Sequence, residues 1–391
     1  MSGPPHQSAA GRWIRLTLPV PKVDEIYSAV LPAGTVNTVT PMQNSPDSSL
    51  LPDTPALPSG TVTYLPDSTT ETTAPLVSVV IVNYNGKKFL NECVGSLYSQ
   101  SYPDFEIIVA DNASVDGSIE FLKSGFPLVR IIRNPANLGF AGGINTGILN
   151  ARGSFILALN NDTRIDRDCI LRLVDVMVHD HAIGMCAAKL AFFDHRINST
   201  GICISRSGAA WDRGMFEKDT GQFDTPEEVF GPCAAAALYR REMFDDIGLF
   251  DEDFFLYLED VDIAFRGQLA GWRCIFVPGA VVYHHHGGTA GFRSDLAVYY
   301  GNRNILWIPF KNYPLFLLLS SLPWIFGRTI GVIPYYAVRG QGKIILRAKI
   351  DGILGIPGMI RKRRTMKRVI PAKDLLKFLH TWAFSENTGR K

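Results

Sequence analysis

The sequence predicts an α/β fold, a mostly parallel sheet flanked by helices. Short apolar runs alternate with helical patterns from residue 76 onward, and polar clusters fall where those runs end. Size and composition bound the answer: 391 residues, 46% of them hydrophobic and 19% charged, suffice for one large domain or two ordinary ones and exclude a fibrous or wholly disordered chain. The mean hydropathy is only +0.08, and one part of the chain carries most of the apolar excess, which excludes a multi-pass membrane protein. The net charge of +2 gives no sign of a nucleic-acid binder.

Residues 1–75 are predicted to be a flexible extension. From Leu31 to Pro75, Pro, Ser and Thr fill 23 of 45 positions and Lys and Arg are absent. So little apolar surface cannot offset the entropy of ordering. Trp13 to Val20 alternate weakly, as a strand would, with no role assigned. No charged start leads into an apolar run, so no secretory signal is expected.

At Leu76 the character changes. Val77-Ser78-Val79-Val80-Ile81-Val82 reads as a buried strand ended by Asn83-Tyr84-Asn85-Gly86. A helical face follows (Phe89, Leu90, Cys93, Leu97, Tyr98). Further strands are expected at Glu106–Ala110, Val129–Ile132 and Phe155–Leu159, and helices near Gly142–Ala151 and Arg167–His179. Ligands in such sheets sit at the carboxyl ends of the strands, where these polar residues cluster. Gly231–Tyr239 is small and apolar and is expected to be buried near the site. Glu259–Leu269 reads as a helix, Trp272–Val277 as a strand, and Val281-Val282-Tyr283 leads into three histidines. The six cysteines are scattered without a CxxC pair, as free thiols in a reducing compartment would be.

Five constellations carry chemistry. Asn160-Asn161-Asp162-Thr163 follows a buried strand; Asp162 or Thr163 could cap the next helix, or Asp162 could hold a divalent cation against a diphosphate, whose oxygens and waters complete the shell. Asp111-Asn112-Ala113-Ser114 suits a turn and cap, and also a nucleobase or ribose partner. Asn137-Leu138-Gly139-Phe140-Ala141-Gly142-Gly143-Ile144-Asn145 lacks GxGxxG spacing and does not follow the first strand, which discounts a dinucleotide oxidoreductase; a glycine-rich helix start still suits an anionic ligand. Glu259-Asp260-Val261-Asp262 puts three acids within four residues beside Phe, Leu and Tyr, either as the acidic first turn of a helix or as a pocket floor supplying a general base. Tyr283-His284-His285-His286-Gly287-Gly288-Thr289 resembles a ligand loop; in a strand His284 and His286 share one face and His285 the other.

Taken in this order, these segments resemble a family 2 glycosyltransferase with the GT-A fold, over roughly residues 76–305, and most closely the rhamnosyltransferase-like branch acting on lipid-linked or surface polysaccharides. The resemblance implies the roles. Asn83, Tyr84, Asn85, Asp111, Asn137, Gly139, Asn145 and Asn161 would hold the nucleotide sugar. Asp162 would bind Mg²⁺ or Mn²⁺, with His284 and then His286 completing the site. Asp260 would deprotonate the acceptor hydroxyl, with Glu259 in reserve. An Asn stands where the family's DXD-like element has its first acid, which implies modest metal affinity. Inverting transfer is then a single displacement with no covalent nucleophile. Two alternatives stand beside it: a catalytically silent glycan-binding or scaffold subunit, and a sugar-phosphate nucleotidyltransferase, whose Gly- and Arg-rich loop after the first strand is not seen in Asn85-Gly86-Lys87-Lys88. Donor, acceptor and oligomeric state stay open.

Residues 306–391 are expected to associate with a membrane. Sixteen uncharged residues separate Lys311 from Arg328, close to the length of a span. From Arg339 to Arg368, ten basic residues face one acid, giving that segment +9 and the rest of the chain −7. Such a segment suits anionic lipid on a cytoplasmic surface. A monotopic attachment is expected, with a single span or a pair of soluble core helices as alternatives.

Overall fold

The computed structural model describes residues 75–286 and 294–381. The expected N-terminal extension, the strand at Trp13–Val20, and Gly287-Gly288-Thr289 lie outside them.

In chain order the elements are β1 (Val77–Asn83), α1 (Lys87–Leu97), β2 (Phe105–Asp111), α2 (Ser118–Gly125), β3 (Arg130–Arg133), α3 (Gly139–Asn150), β4 (Phe155–Asn160), β5 (Thr163–Ile165), α4 (Cys169–His179), β6 (Ile183–Ala191), β7 (Ile197–Ser199), β8 (Ile202–Ser205), β9 (Ala210–Asp212), β10 (Glu227–Glu228), β11 (Ala236–Arg240), α5 (Arg241–Ile247), α6 (Glu259–Leu269), β12 (Arg273–His284), α7 (Asp295–Asn312), α8 (Leu315–Ala337), α9 (Gly342–Arg363) and β13 (Leu379–His380). The main sheet runs β10-β12-β6-β11-β4-β1-β2-β3. β1 to β4 are parallel. β11 lies antiparallel between β4 and β6, and β12 returns parallel to β6. β12 thus points the same way as β1, β2 and β4. The strand expected at Trp272–Val277 runs on through Val281-Val282-Tyr283 to His284, with a register irregularity between Val277 and Val281.

Alternation along β1 splits the core in two. Val79 and Ile81 pack with Leu90, Leu97, Leu159 and Leu173 on one face. Val80 packs with Ile144, Ile148, Ile263 and Phe265 on the other. All six cysteines are free thiols.

α7 to α9 belong to the same compact unit as the sheet. α7 lies over α6, and α9 lies along α7: Trp307 Nε1 donates to Gly352 O at 2.9 Å, and Gly355 faces the Trp307 ring so closely that a Cβ there would come within 2.5 Å of it. α8 buries one face in the core, through Leu317, Leu318 and Ile325, and leaves the rest exposed. It is long and apolar enough to cross a membrane, yet only 22% of its most apolar window is buried. Leu315, Phe316, Leu319, Phe326 and Ile330 are exposed.

Candidate functional site

Parallel register brings distant polar segments to one edge of the sheet. Asn83 stands opposite Asp111, and Asn160 opposite Val82. The turn after β4 folds back as β5, which pairs with the end of β12 so that Thr163 faces His284. The first, second and fourth strand ends and the histidine segment therefore meet at the carboxyl edge.

Two linked clusters occupy that edge. In the first, fully buried Asp111 accepts from Asn83 Nδ2 at 2.9 Å and from the Ser114 amide at 3.0 Å. Ser114 Oγ in turn accepts from Asn83 Nδ2 and from the Asn85 amide. Asn161 Nδ2 donates to Asn83 Oδ1 at 2.9 Å. Gly86 is needed beneath this amide pair, since a Cβ there would lie 2.0 Å from Asn161 Nδ2. Tyr84 is half-buried and Asn85 exposed on the turn. Alongside, Asn112 Nδ2 donates to Gly139 O at 2.8 Å and reaches Asn137 Oδ1 at 3.4 Å.

In the second cluster, Asp162 and His284 are both buried, with Asp162 Oδ1 3.3 Å from His284 Nε2. His284 Nδ1 donates to Asn198 Oδ1 at 2.8 Å, and Asn160 Nδ2 reaches Nε2 at 3.4 Å. Nδ1 is taken by Asn198, so Nε2 is the ring nitrogen turned toward the Asp162 carboxylate. A carboxylate oxygen and an imidazole nitrogen in that arrangement suit a cation. The Asn198 Nδ2 donates to His286 Nδ1 at 3.4 Å. Burial, and then His284, pull the His286 imidazolium down to about 4, so His286 is neutral near pH 7. His285 turns away, stacked on Phe193 with ring centroids 4.1 Å apart, the alternation a strand imposes. Among the described residues no three of His, Cys, Asp and Glu form a ligand set on their own.

Asp260 belongs to this second cluster. Its Oδ2 accepts from the Ala234 amide at 3.3 Å and its Oδ1 from the Val261 amide at 2.8 Å. The next residue, Ala235, accepts from the Asn160 amide at 2.9 Å, so Asp260 stands one residue from the end of β4. Burial, then the negative charge of Asp212, push its carboxyl up to about 6. Glu259 is more deeply buried; its carboxyl is held well above the usual range by burial and then by Asp260, and its Oε2 has no hydrogen-bond partner. The third acid, Asp262, faces elsewhere, bound to Arg266 and Lys311 at 2.9 and 2.7 Å.

Asn145 is not gathered with the rest. Its amide donates to Phe250 O at 2.9 Å and to Glu252 Oε1 at 3.0 Å, and its Oδ1 accepts from the Phe250 amide. Gly139 has a positive φ of 69°, and a Cβ there would meet Phe255 O at 2.2 Å; the glycine lets the start of α3 pack directly against the segment before Asp260.

Sequence reasoning missed two residues. Asp212 bonds Ser199 and Cys233, interacts electrostatically with His284 and Asp260, and has its carboxyl raised by burial. Asn198 bridges the two histidines. Both come from short strands without a motif, so only tertiary pairing reveals them.

Comparison with known proteins adds four findings. The model of the family described as "Glycosyl transferase family 2" matches residues 78–248. A protein of Mycobacterium tuberculosis named N-acetylglucosaminyl-diphospho-decaprenol L-rhamnosyltransferase is 26% identical over 239 residues, which is 55% of this chain and 78% of the relative. An uncharacterized protein of Sinorhizobium fredii is 25% identical over 228 residues, or 56% of this chain, which spans only 25% of that relative. Among solved structures, GalNAc-T7 with UDP, GalNAc and Mn²⁺ superposes with a TM-score of 0.54 at 17% identity, covering 75% of this chain and 58% of the other.

Proposed function

The chain belongs to glycosyl transferase family 2 and has the GT-A fold, and from that premise we propose an inverting, metal-dependent transfer of a sugar, rhamnose or another hexose, from a nucleoside diphosphate to a lipid-linked or glycan acceptor. The observation that carries this reading is the meeting of three segments far apart in sequence. Asp162 and His284 stand 3.3 Å apart, and Asp260 is bonded to the residue next to the one that binds Asn160.

The chain's own residues divide the work. Tyr84, Asn85 and Asn137 edge the nucleotide crevice, while Asp111, Asn83 and Asn161 brace its wall. Asp162 and His284 would hold Mg²⁺ or Mn²⁺, which when bound offsets charge developing on the leaving diphosphate. His286, whose Nδ1 takes a hydrogen bond from Asn198, keeps its proton on Nε2 and suits donation to a phosphate oxygen better than ligation. Asp260 takes the proton from the acceptor hydroxyl as that oxygen attacks the anomeric carbon and the diphosphate leaves from the opposite side. Backbone amides of Ala234 and Val261 orient its carboxylate.

Attachment to a membrane is proposed through two helices. α8 offers the exposed apolar side chains already named. On α9, exposed Leu346, Ile350, Ile353 and Leu354 form a second stripe at helical spacing, beside exposed Lys343, Arg347, Arg361 and Arg364. The relative that acts on a decaprenol-linked substrate favours a lipid-linked acceptor, reached on the cytoplasmic face.

The test is a panel of UDP-, GDP- and dTDP-sugars with membrane extract, scored for released nucleoside diphosphate and for label entering lipid. Turnover should require Mn²⁺ or Mg²⁺, and Asp162→Asn should lose both turnover and Mn²⁺ binding by calorimetry with its melting curve retained. Turnover that persists in EDTA removes the metal from the scheme.

A further inference from the structure

Just before Asp260 the backbone takes a conformation that side chains normally avoid. Phe255, Tyr257 and Leu258 have φ of 63°, 67° and 66°. None is glycine, Asn or Asp, the residues that tolerate this region. Three such residues in four positions persist only where the surroundings over-determine them. Leu258 is also the residue on which α6 begins, so the path of this segment sets where Glu259 and Asp260 emerge.

The surroundings that hold it come from α7. Asn304 is fully buried, and its Nδ2 shares its two hydrogens among three carbonyls, Phe254 O at 2.9 Å, Leu256 O at 3.0 Å and Tyr257 O at 2.7 Å. Arg303, also buried, donates through Nη2 to Asp253 O at 2.7 Å and Phe254 O at 3.0 Å. Its Nε donates to Asn304 Oδ1 at 2.8 Å, which fixes the amide with its nitrogen toward the carbonyls. The remaining carbonyl, Phe255 O, accepts from the Ala141 amide at 3.2 Å, in the close approach that Gly139 permits. Five successive carbonyls, from Asp253 to Tyr257, are thus each taken by a donor outside the segment. Four of them depend on two adjacent side chains of one helix.

We propose that Asn304, oriented by Arg303, is a positioning residue that holds the strained segment 254–258 and thereby places Asp260 against the acceptor hydroxyl. The proposal rests on the reading of Asp260 as the base. Asn304 does not touch the substrate in this scheme; it acts only through the backbone it holds. A displacement of a reacting group by about 1 Å can cost on the order of a hundredfold in rate.

Asn304→Asp tests it with the side chain's shape retained. The carboxylate keeps its contact with Arg303 but turns an acceptor toward three carbonyls. kcat should fall by roughly ten- to a hundredfold, while KM for the nucleotide sugar and Mn²⁺ affinity stay within about twofold. Hydrogen exchange should quicken at the amides of 255–260 and not in β1 or β4. A double-mutant cycle then separates positioning from general damage: in an Asp260→Asn background, Asn304→Asp should cost less than about threefold more. Asn304→Ala serves as the second variant should the aspartate prevent folding, and the exchange measurement applies to either. Unchanged exchange with unchanged kcat overturns the proposal, and so does a full additive loss in the Asp260→Asn background. An Asp260→Asn enzyme that turns over like the parent overturns the base assignment instead, an outcome visible before Asn304 is altered.

Discussion

Asp260 holds its carboxyl at about 6 because burial and the neighbouring Asp212 both oppose its ionisation. As the proposed base it must be deprotonated to act, so kcat/KM should rise as pH climbs through about 6 and level off above it. Asp212→Asn removes the like charge, and the inflection should move to lower pH; a profile unmoved by that substitution would detach Asp212 from the base. Asp260→Asn should lower turnover by roughly a hundred- to ten-thousandfold, as loss of a general base does, with UDP, GDP or dTDP binding preserved in calorimetry. Asp162, Asp260 and His284 were legible in the sequence because each follows a strongly patterned strand or opens a strongly patterned helix. Asp212, Asn198 and Asn304 were not. Their neighbours carry no periodicity that points to a ligand, and their meaning comes from partners 86 residues away for Asn198 and about 50 for Asn304.

At the scale of elements, α6 shows how one run of acids divides. Its bounds, Glu259–Leu269, are those the sequence predicted, yet the pattern could not say which acid faces what. Asp262 is fully buried and accepts from Arg266, Lys311 and Asn312, tying α6 to α7. Burial pulls its carboxyl up, but Lys311 and Arg266 outweigh that and hold it below the usual range. Asp251, also bound to Lys311, falls to about 2, since Lys311 and Lys362 together outweigh its burial. Depressed carboxyls stabilise the fold fully above their unfolded value near 4, and that stability is lost as pH falls toward about 2. Asp262→Ala leaves buried cations without their partner and should cost on the order of 3–5 kcal/mol, read as a shift in the urea midpoint at neutral pH. α9 was legible only as a basic segment. Its charges hid two apolar faces, one against α7 and one exposed. Replacing Ile350 and Leu354 by Glu should leave the melting curve unchanged and move the protein toward the soluble fraction when vesicles of mixed anionic and neutral lipid are sedimented. Undiminished co-sedimentation would rule the α9 stripe out of the proposed attachment.

At the scale of the molecule, the sequence marked a boundary near residue 305, where catalytic patterning gives way to apolar and basic runs. In the structure that point falls inside α7, and the helices beyond it join the same unit as the sheet. Hydropathy changes along a chain report what each segment faces, not where one folded body stops. A chain cut at Asn312 would strip α9 from α7 and break the Lys362 bridges to Asp251 and Asp253, so it should melt earlier than the full chain rather than merely become soluble.

The tie between α7 and the segment before Asp260 also governs how this chain could be recombined with its relatives. An acceptor-side graft joined after Asn312 would keep α7, and with it the pairing of Asn304 and Arg303 to their own five carbonyls. A graft joined between α6 and α7 would pair a foreign helix with a native backbone path that it was not selected to hold. Functional chimaeras should therefore exchange residues 251–312 as one block, and libraries that let crossovers fall within it should yield folded but slow proteins.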